Sequence, residues 1–271
     1  MRLFFLFLFA VLFQRTGICA TVDTIDTRSQ AMNKIIRAVI IRPDSYKQGK
    51  PLPVLYLLHG YSGNYADWIT KAPAIAQLAD QWNMMVVCPD GGFGSWYFDS
   101  PVDPSFRYET YICKELVPFI DGKFTTIANA KGRAITGLSM GGHGALYLGF
   151  RHQDIFGAAG SMSGGVDIRP FPLNWDLSKR LGAYAEKPEN WEKNSVVNLL
   201  YLLKPGGLSL IIDCGTGDFF YGVNESLHRQ LLERNIPHDY ITRPGVHDWN
   251  YWSNAIRYQA LFFHNFFAKA T

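Results

Sequence analysis

Seven short apolar runs, each followed by a turn rich in glycine or proline, set what this chain can fold into. They occupy residues 34–41, 54–58, 84–88, 134–136, 158–162, 208–213 and 240–242. Most are too short and too uniformly apolar for a half-exposed strand, and they read as strands buried on both faces. Helical periodicity fills residues 74–82, 108–120, 139–150, 225–235 and 252–267. Strands alternating with helices predict an α/β chain: a mostly parallel central sheet with helices on both faces. In such a sheet ligands bind beyond the carboxyl ends of the strands, so chemistry is sought in the loops that follow them. Residues 165–205 break the rhythm with Pro170, Pro172, Trp175, Pro188 and Trp191. That stretch reads as a cap-like insertion beside the site, within a single domain spanning residues 21–271.

The N-terminus has a different character. Met1-Arg2 is basic, residues 3–13 are an unbroken apolar run, and Ile18-Cys19-Ala20 closes a polar, small-residue stretch. This is the order of a secretory signal peptide, expected to end after Ala20 and to send the protein to the periplasm or medium. The apolar run is shorter than the roughly 20 residues a membrane span needs. Ile18 is bulky where a lipoprotein signal wants a small residue, which argues against a lipid anchor on Cys19. Cleavage would leave Cys88, Cys113 and Cys214, read as buried free thiols rather than a disulfide framework. With 26 basic against 23 acidic side chains, no basic excess exists to neutralise phosphates, which argues against a nucleic-acid partner. A 48% hydrophobic chain of this length also buries too much surface to be disordered.

The sharpest local signal is Gly137-Leu138-Ser139-Met140-Gly141, between a strand run and a helix. A serine on such a strained turn projects its hydroxyl at a helix N-terminus, and the flanking positions must be small. Ser139 is the candidate nucleophile, and the Met140 N–H is placed to donate to an oxyanion. A nucleophilic serine needs a base, and the base needs an orienting acid, in the order serine, acid, histidine. His247, in Gly245-Val246-His247-Asp248-Trp249, follows the last strand run and precedes the last helix. His143, His152, His228 and His264 fall on helical patterns, and His238 enters a strand. Asp218, in Gly215-Thr216-Gly217-Asp218-Phe219-Phe220, is the candidate acid, with Asp213 its main rival. A second oxyanion donor is expected after an early strand, where His59-Gly60-Tyr61-Ser62-Gly63 offers the Tyr61 N–H. Trp68, Trp96 and Trp249 lie in loops around these motifs and are candidate substrate contacts.

Taken together, Leu57-Leu58-His59-Gly60-Tyr61-Ser62-Gly63, Ser95-Trp96-Tyr97, Tyr108-Glu109-Thr110, Gly137-Leu138-Ser139-Met140-Gly141-Gly142, Cys214-Gly215-Thr216-Gly217-Asp218 and Pro244-Gly245-Val246-His247-Asp248-Trp249 resemble the esterase D family of α/β-hydrolases. The resemblance spans roughly residues 30–267. That family includes S-formylglutathione hydrolases, feruloyl and acetyl-xylan esterases and antigen 85-type mycolyltransferases, and the nearest flavour is that of secreted Bacteroidetes esterases. The resemblance implies an α/β-hydrolase fold, Ser139 as nucleophile, Asp218 as acid, His247 as base, and the Tyr61 and Met140 N–H groups as oxyanion hole. Family members often carry Glu where this chain has Gly217. No cofactor or metal is implied. The expected partner is an ester substrate, with feruloyl or acetyl esters of plant polysaccharide favoured. A general short-chain carboxylesterase, an acyltransferase to a carbohydrate acceptor, and a non-catalytic carbohydrate-binding protein on a hydrolase fold are the alternatives.

Overall fold

A computed structural model describes residues 20–46 and 49–269. The signal-peptide expectation therefore falls outside the described residues. Eight strands form one sheet: β1 Thr21–Ser29, β2 Lys34–Arg42, β3 Val54–Leu58, β4 Met85–Pro89, β5 Arg133–Gly137, β6 Ala158–Met162, β7 Ser209–Gly215 and β8 Asp239–Arg243. Their spatial order is β1-β2-β4-β3-β5-β6-β7-β8. Only the β1–β2 and β2–β4 pairs are antiparallel; every other neighbour is parallel.

The helices are α1 Asp67–Lys71, α2 Ala74–Gln81, α3 Tyr108–Thr110, α4 Val117–Lys123, α5 Met140–Arg151, α6 Leu177–Leu181, α7 Pro188–Asn194, α8 Tyr221–Glu233 and α9 Trp249–Ala268. Residues Tyr111–Leu116 form a π-helical turn joining α3 to α4, so the single helix expected over 108–120 carries a local widening. The segment expected as an insertion holds α6, α7 and a 3-10 helix at Val196–Leu202. Among the described residues no helix is long and apolar enough to cross a membrane.

The sheet divides the core by strand alternation. Val54, Tyr56 and Leu58 of β3 face one layer, packed with residues of α5 and α8. Leu55 and Leu57 face the other, against Ile75 and Leu78 of α2 and Ile256 and Phe263 of α9. Strands β3 to β6 are buried throughout, while β1 and β8, at the two edges, are half-exposed. Edge position also explains why β1 is absent from the sequence expectations. In Thr21–Ser29 only Val22 and Ile25 are apolar, because one side of the strand faces water. Cys88, Cys113 and Cys214 are free and buried, as expected.

Candidate active site

Strand β5 and helix α5 meet at Ser139, which has φ 53° and ψ −118°. For a residue with a Cβ this is strained backbone, worth on the order of 1–3 kcal/mol. Hydrogen bonds on either side hold it: Ser139 N–H donates to Met162 O (2.9 Å), and His143 N–H donates to Ser139 O (3.0 Å). The flanking glycines are required by close approach. A Cβ on Gly137 would lie 2.6 Å from backbone atoms of Gly141, and one on Gly141 would lie 2.6 Å from Leu58 O and His59 O. Any side chain at these positions would push α5 off β3 and open the turn.

The loops after β7 and β8 bring Asp218 and His247 to this serine. His247 Nε2 lies 2.9 Å from Ser139 Oγ, and His247 Nδ1 lies 2.8 Å from Asp218 Oδ2. A carboxylate only accepts, so Nδ1–H donates to Asp218, leaving the Nε2 lone pair facing the serine hydroxyl. The other carboxylate oxygen, Asp218 Oδ1, accepts from Phe220 N–H (2.8 Å), so the buried acid is fixed at both oxygens. Rings enclose the imidazole: Phe219 lies 4.2 Å from it between centroids, and Trp252 meets it edge-on at 4.8 Å. Asp213, the rival acid, is engaged elsewhere. It accepts from Arg243 Nη2 (2.6 Å) and from the Tyr251 hydroxyl, at the base of the β7–β8 loops. Burial raises its carboxyl pKa, even against the pull of Tyr251 and Arg243.

Tyr61 lies in the loop after β3. That loop is clamped by Ser62 N–H donating to Phe93 O (2.8 Å) and Gly63 N–H donating to Gly60 O (3.1 Å). The buried His59 ring is a further clamp that the sequence motif includes but does not explain. Its Nε2 accepts from Gly91 N–H (2.7 Å), so its Nδ1–H donates to Gly60 O (2.8 Å). One neutral imidazole thus ties the Tyr61 loop to the loop after β4. The first N–H groups of a helix have no intrahelical acceptor, so Met140 N–H at the start of α5 remains available. Tyr61, Met140 and Ser139 therefore meet where strands β3 and β5 end.

A cleft of about 420 Å³ opens over Ser139, lined by Tyr61, Leu138, Trp175, Phe219, Trp249 and Trp252. Of the three tryptophans expected as substrate contacts, Trp249 lines it. Trp68 is 0% exposed and donates its indole N–H to Leu58 O (3.0 Å), which secures the end of β3. Trp96 is 1% exposed and donates to Trp175 O (3.2 Å). These two corrections share a cause: indole surface is buried first, and both rings fall beneath the loops rather than on them. The walls that composition did not single out are Phe219 and Trp175. Phe219 adjoins Asp218 in sequence and was findable from it. Trp175 sits in the irregular 165–205 segment, which was expected beside the site but gave no residue-level pointer to this ring.

Comparisons with known proteins identify the family. The family model described as "Putative esterase" matches residues 29–263. An acetyl esterase of Caldicellulosiruptor saccharolyticus is 29% identical over 217 residues, covering 76% of this chain and 80% of that protein. An esterase of Mycobacterium tuberculosis is 38% identical over 136 residues, which span 48% of this chain but only 29% of that longer protein. A solved ferulic acid esterase superposes with a TM-score of 0.80 at 28% identity, covering 93% of this chain and all of that one. With the match running over most of its length, the chain belongs to this esterase family, carboxylic-ester hydrolases on the α/β-hydrolase fold.

Proposed function

We propose that the protein hydrolyses esters through Ser139, His247 and Asp218 by way of an acyl-enzyme. The observation that carries this reading is the unbroken hydrogen-bond chain from Ser139 Oγ through His247 to Asp218, at the floor of an open cleft. His247 Nε2 takes the Ser139 proton as Oγ bonds to the ester carbonyl carbon. The carbonyl electron pair moves to oxygen, where the Tyr61 and Met140 N–H groups hold it. As the pair returns, the alkoxide departs and His247 supplies its proton. Water then repeats the sequence on the acyl-enzyme, releasing the acid and restoring Ser139. Asp218 keeps the imidazole in the required tautomer and stabilises its charged form.

The substrate reading is an acetyl or feruloyl ester of plant polysaccharide. It is supported by the acetyl esterase and the ferulic acid esterase among the relatives. It is supported too by the aromatic walls of the cleft, with Trp249 a substrate contact. Residues 1–20 are read as an export signal and residues 21–271 as one catalytic domain, consistent with a polymer substrate outside the cell. The chemistry is tested with Ser139→Ala, expected to lower kcat by several orders of magnitude without loss of fold. Near wild-type turnover by that variant would refute the nucleophile. The substrate reading is tested on methyl ferulate, acetylated xylan and p-nitrophenyl butyrate in parallel. Cleavage of the last alone would defeat it.

A further inference from the structure

A second cleft, of about 760 Å³, lies away from Ser139 and is the larger of the two. Its floor is the far half of α5, where Tyr147 and Arg151 follow Ser139 by eight and twelve residues. At about 1.5 Å per residue this places it roughly 12–18 Å along the helix from the nucleophile. One wall is built by residues 190–201 and the other by the loop at Asp99 and Pro101. Its volume is within the roughly 300–1,000 Å³ of small-molecule sites.

The lining charges are already spent on the protein. Glu109 pairs with Arg151 and His152, each at 2.8 Å. Asp99 pairs with Arg107 at 3.1 Å, and Glu192 with Arg169 at 2.8 Å. Lys193, on the exposed rim, has no ion-pair partner among the described residues. Nothing here selects a strongly charged ligand.

What remains open is neutral accepting capacity. Asn190, Asn194 and Asn198 recur every four residues, and each turns its NH2 inward to a backbone carbonyl. Asn190 donates to Leu181 O (2.7 Å), Asn194 to Asn190 O (2.7 Å) and Asn198 to Glu192 O (3.0 Å). Those bonds fix the amide orientations and leave the three Oδ1 atoms with no donor among the described residues. Asn194 is 8% exposed and lines the cleft together with Asn190 and Asn198. Tyr201, which also lines the cleft, is 71% exposed, an aromatic ring open to solvent.

We infer that this cleft is a binding site for a neutral oligosaccharide, separate from the ester-cleaving centre. Sugar hydroxyls donate to the three amide oxygens, and the apolar C–H face of a ring packs on Tyr201. The inference does not depend on which ester Ser139 cleaves. A chain held here would raise the concentration of its own acyl groups at the catalytic cleft.

The test is isothermal calorimetry of the enzyme with xylohexaose, before and after Ser139 has been blocked as its diethyl phosphate ester. Tyr201→Ala and Asn198→Ala are measured in parallel. Binding is expected to survive the block. Each variant is expected to weaken it about tenfold, the worth of one ring contact or one hydrogen bond. Both should hydrolyse p-nitrophenyl butyrate at the wild-type rate. The proposal is overturned if xylohexaose does not bind, if the block abolishes binding, or if both variants bind as tightly as wild type. Since binding is read without turnover, a failed nucleophile assignment would leave the result interpretable.

Discussion

Replacing Asp218 by Asn separates the two candidate acids, and the structure fixes what the substitution must do. In the native site Asp218 Oδ1 accepts from Phe220 N–H while Oδ2 accepts from His247 Nδ1. An asparagine has one accepting atom, and the backbone N–H can only donate. The amide oxygen is therefore held toward Phe220, and its NH2 is turned on His247. The imidazole must then accept at Nδ1 and carry its proton on Nε2, facing Ser139. In that tautomer it cannot take the serine proton. A wrong-tautomer triad loses about 10⁴-fold in kcat, which is about 5 kcal/mol of transition-state stabilisation. Asp213→Asn acts differently. It weakens a buried pair with Arg243, whose Nε and Nη1 already have no partner, and it does not touch His247. Breaking a buried pair costs about 3–5 kcal/mol. Because burial raises the Asp213 pKa, part of that attraction goes into keeping the carboxylate ionised, so the lower end is expected. That corresponds to roughly 6–12 °C in Tm for a chain of this size, with kcat little changed. Initial rates on p-nitrophenyl acetate, with thermal melts of both variants, read the two effects separately. If Asp218→Asn retains more than a tenth of wild-type kcat, or folded Asp213→Asn loses as much as Asp218→Asn, the assignment of the acid is refuted.

Four further outcomes follow from the packing. Gly141→Ala puts a methyl 2.6 Å from two fixed carbonyl oxygens and should cost about 3 kcal/mol in melts. Gly222→Ala in α8, where nothing lies within 4 Å, should be neutral or stabilising by up to about 1 kcal/mol; a Tm for Gly222→Ala as low as that of Gly141→Ala would break the argument. Phe219→Ala removes an exposed ring from the face of His247 and should lower kcat about 2- to 10-fold, the worth of one aromatic contact, without unfolding; an unchanged kcat would show the imidazole needs no such support. Burial lowers the His143 pKa to about 4 from 6.5, so the unfolded chain takes up the proton first as the solution is acidified. Stability present above pH 6.5 is then lost toward pH 4 at about 1.4 kcal/mol per unit, and melts of His143→Gln should show a shallower acid slope than wild type.

The central sheet was legible because burial on both faces leaves an unambiguous mark: residues 54–58 and 158–162 have no polar side to confuse the pattern beyond Ser161. The same reasoning missed β1, whose alternation is polar on polar, and could not see the π-helical turn at Tyr111–Leu116. That turn adds one residue to a hydrogen-bonded ring without changing which side chains are apolar. Ser139, Asp218 and His247, which the structure links through hydrogen bonds, stood out because each follows a strand in a set chain order. The tryptophans did not. Ring size predicts burial as readily as ligand contact, and the sequence carries no mark distinguishing Trp68, sealed under β3, from Trp249, open to the cleft.

That difference reflects how the fold divides its labour. Ser139 and the Tyr61 loop sit at the ends of the adjacent strands β5 and β3, and His247 follows the edge strand β8, so their distances are set by the sheet. The cleft walls come from the loop after Asp218 and from the irregular segment carrying Trp175, which variation can reach without disturbing the sheet. Yet the two are joined. Trp175 and Asp176 both have positive φ, 50° and 56°, an unfavourable pair of conformations for residues with side chains. They are held by Trp96 Nε1–H donating to Trp175 O (3.2 Å) and by the Tyr61 hydroxyl donating to Asp176 (3.2 Å). Tyr61 thus ties the loop after β3 to the wall that carries Trp175. A substitution that frees Trp175 from its turn also releases the Tyr61 ring, so changes in specificity at this wall should carry a change in kcat with them.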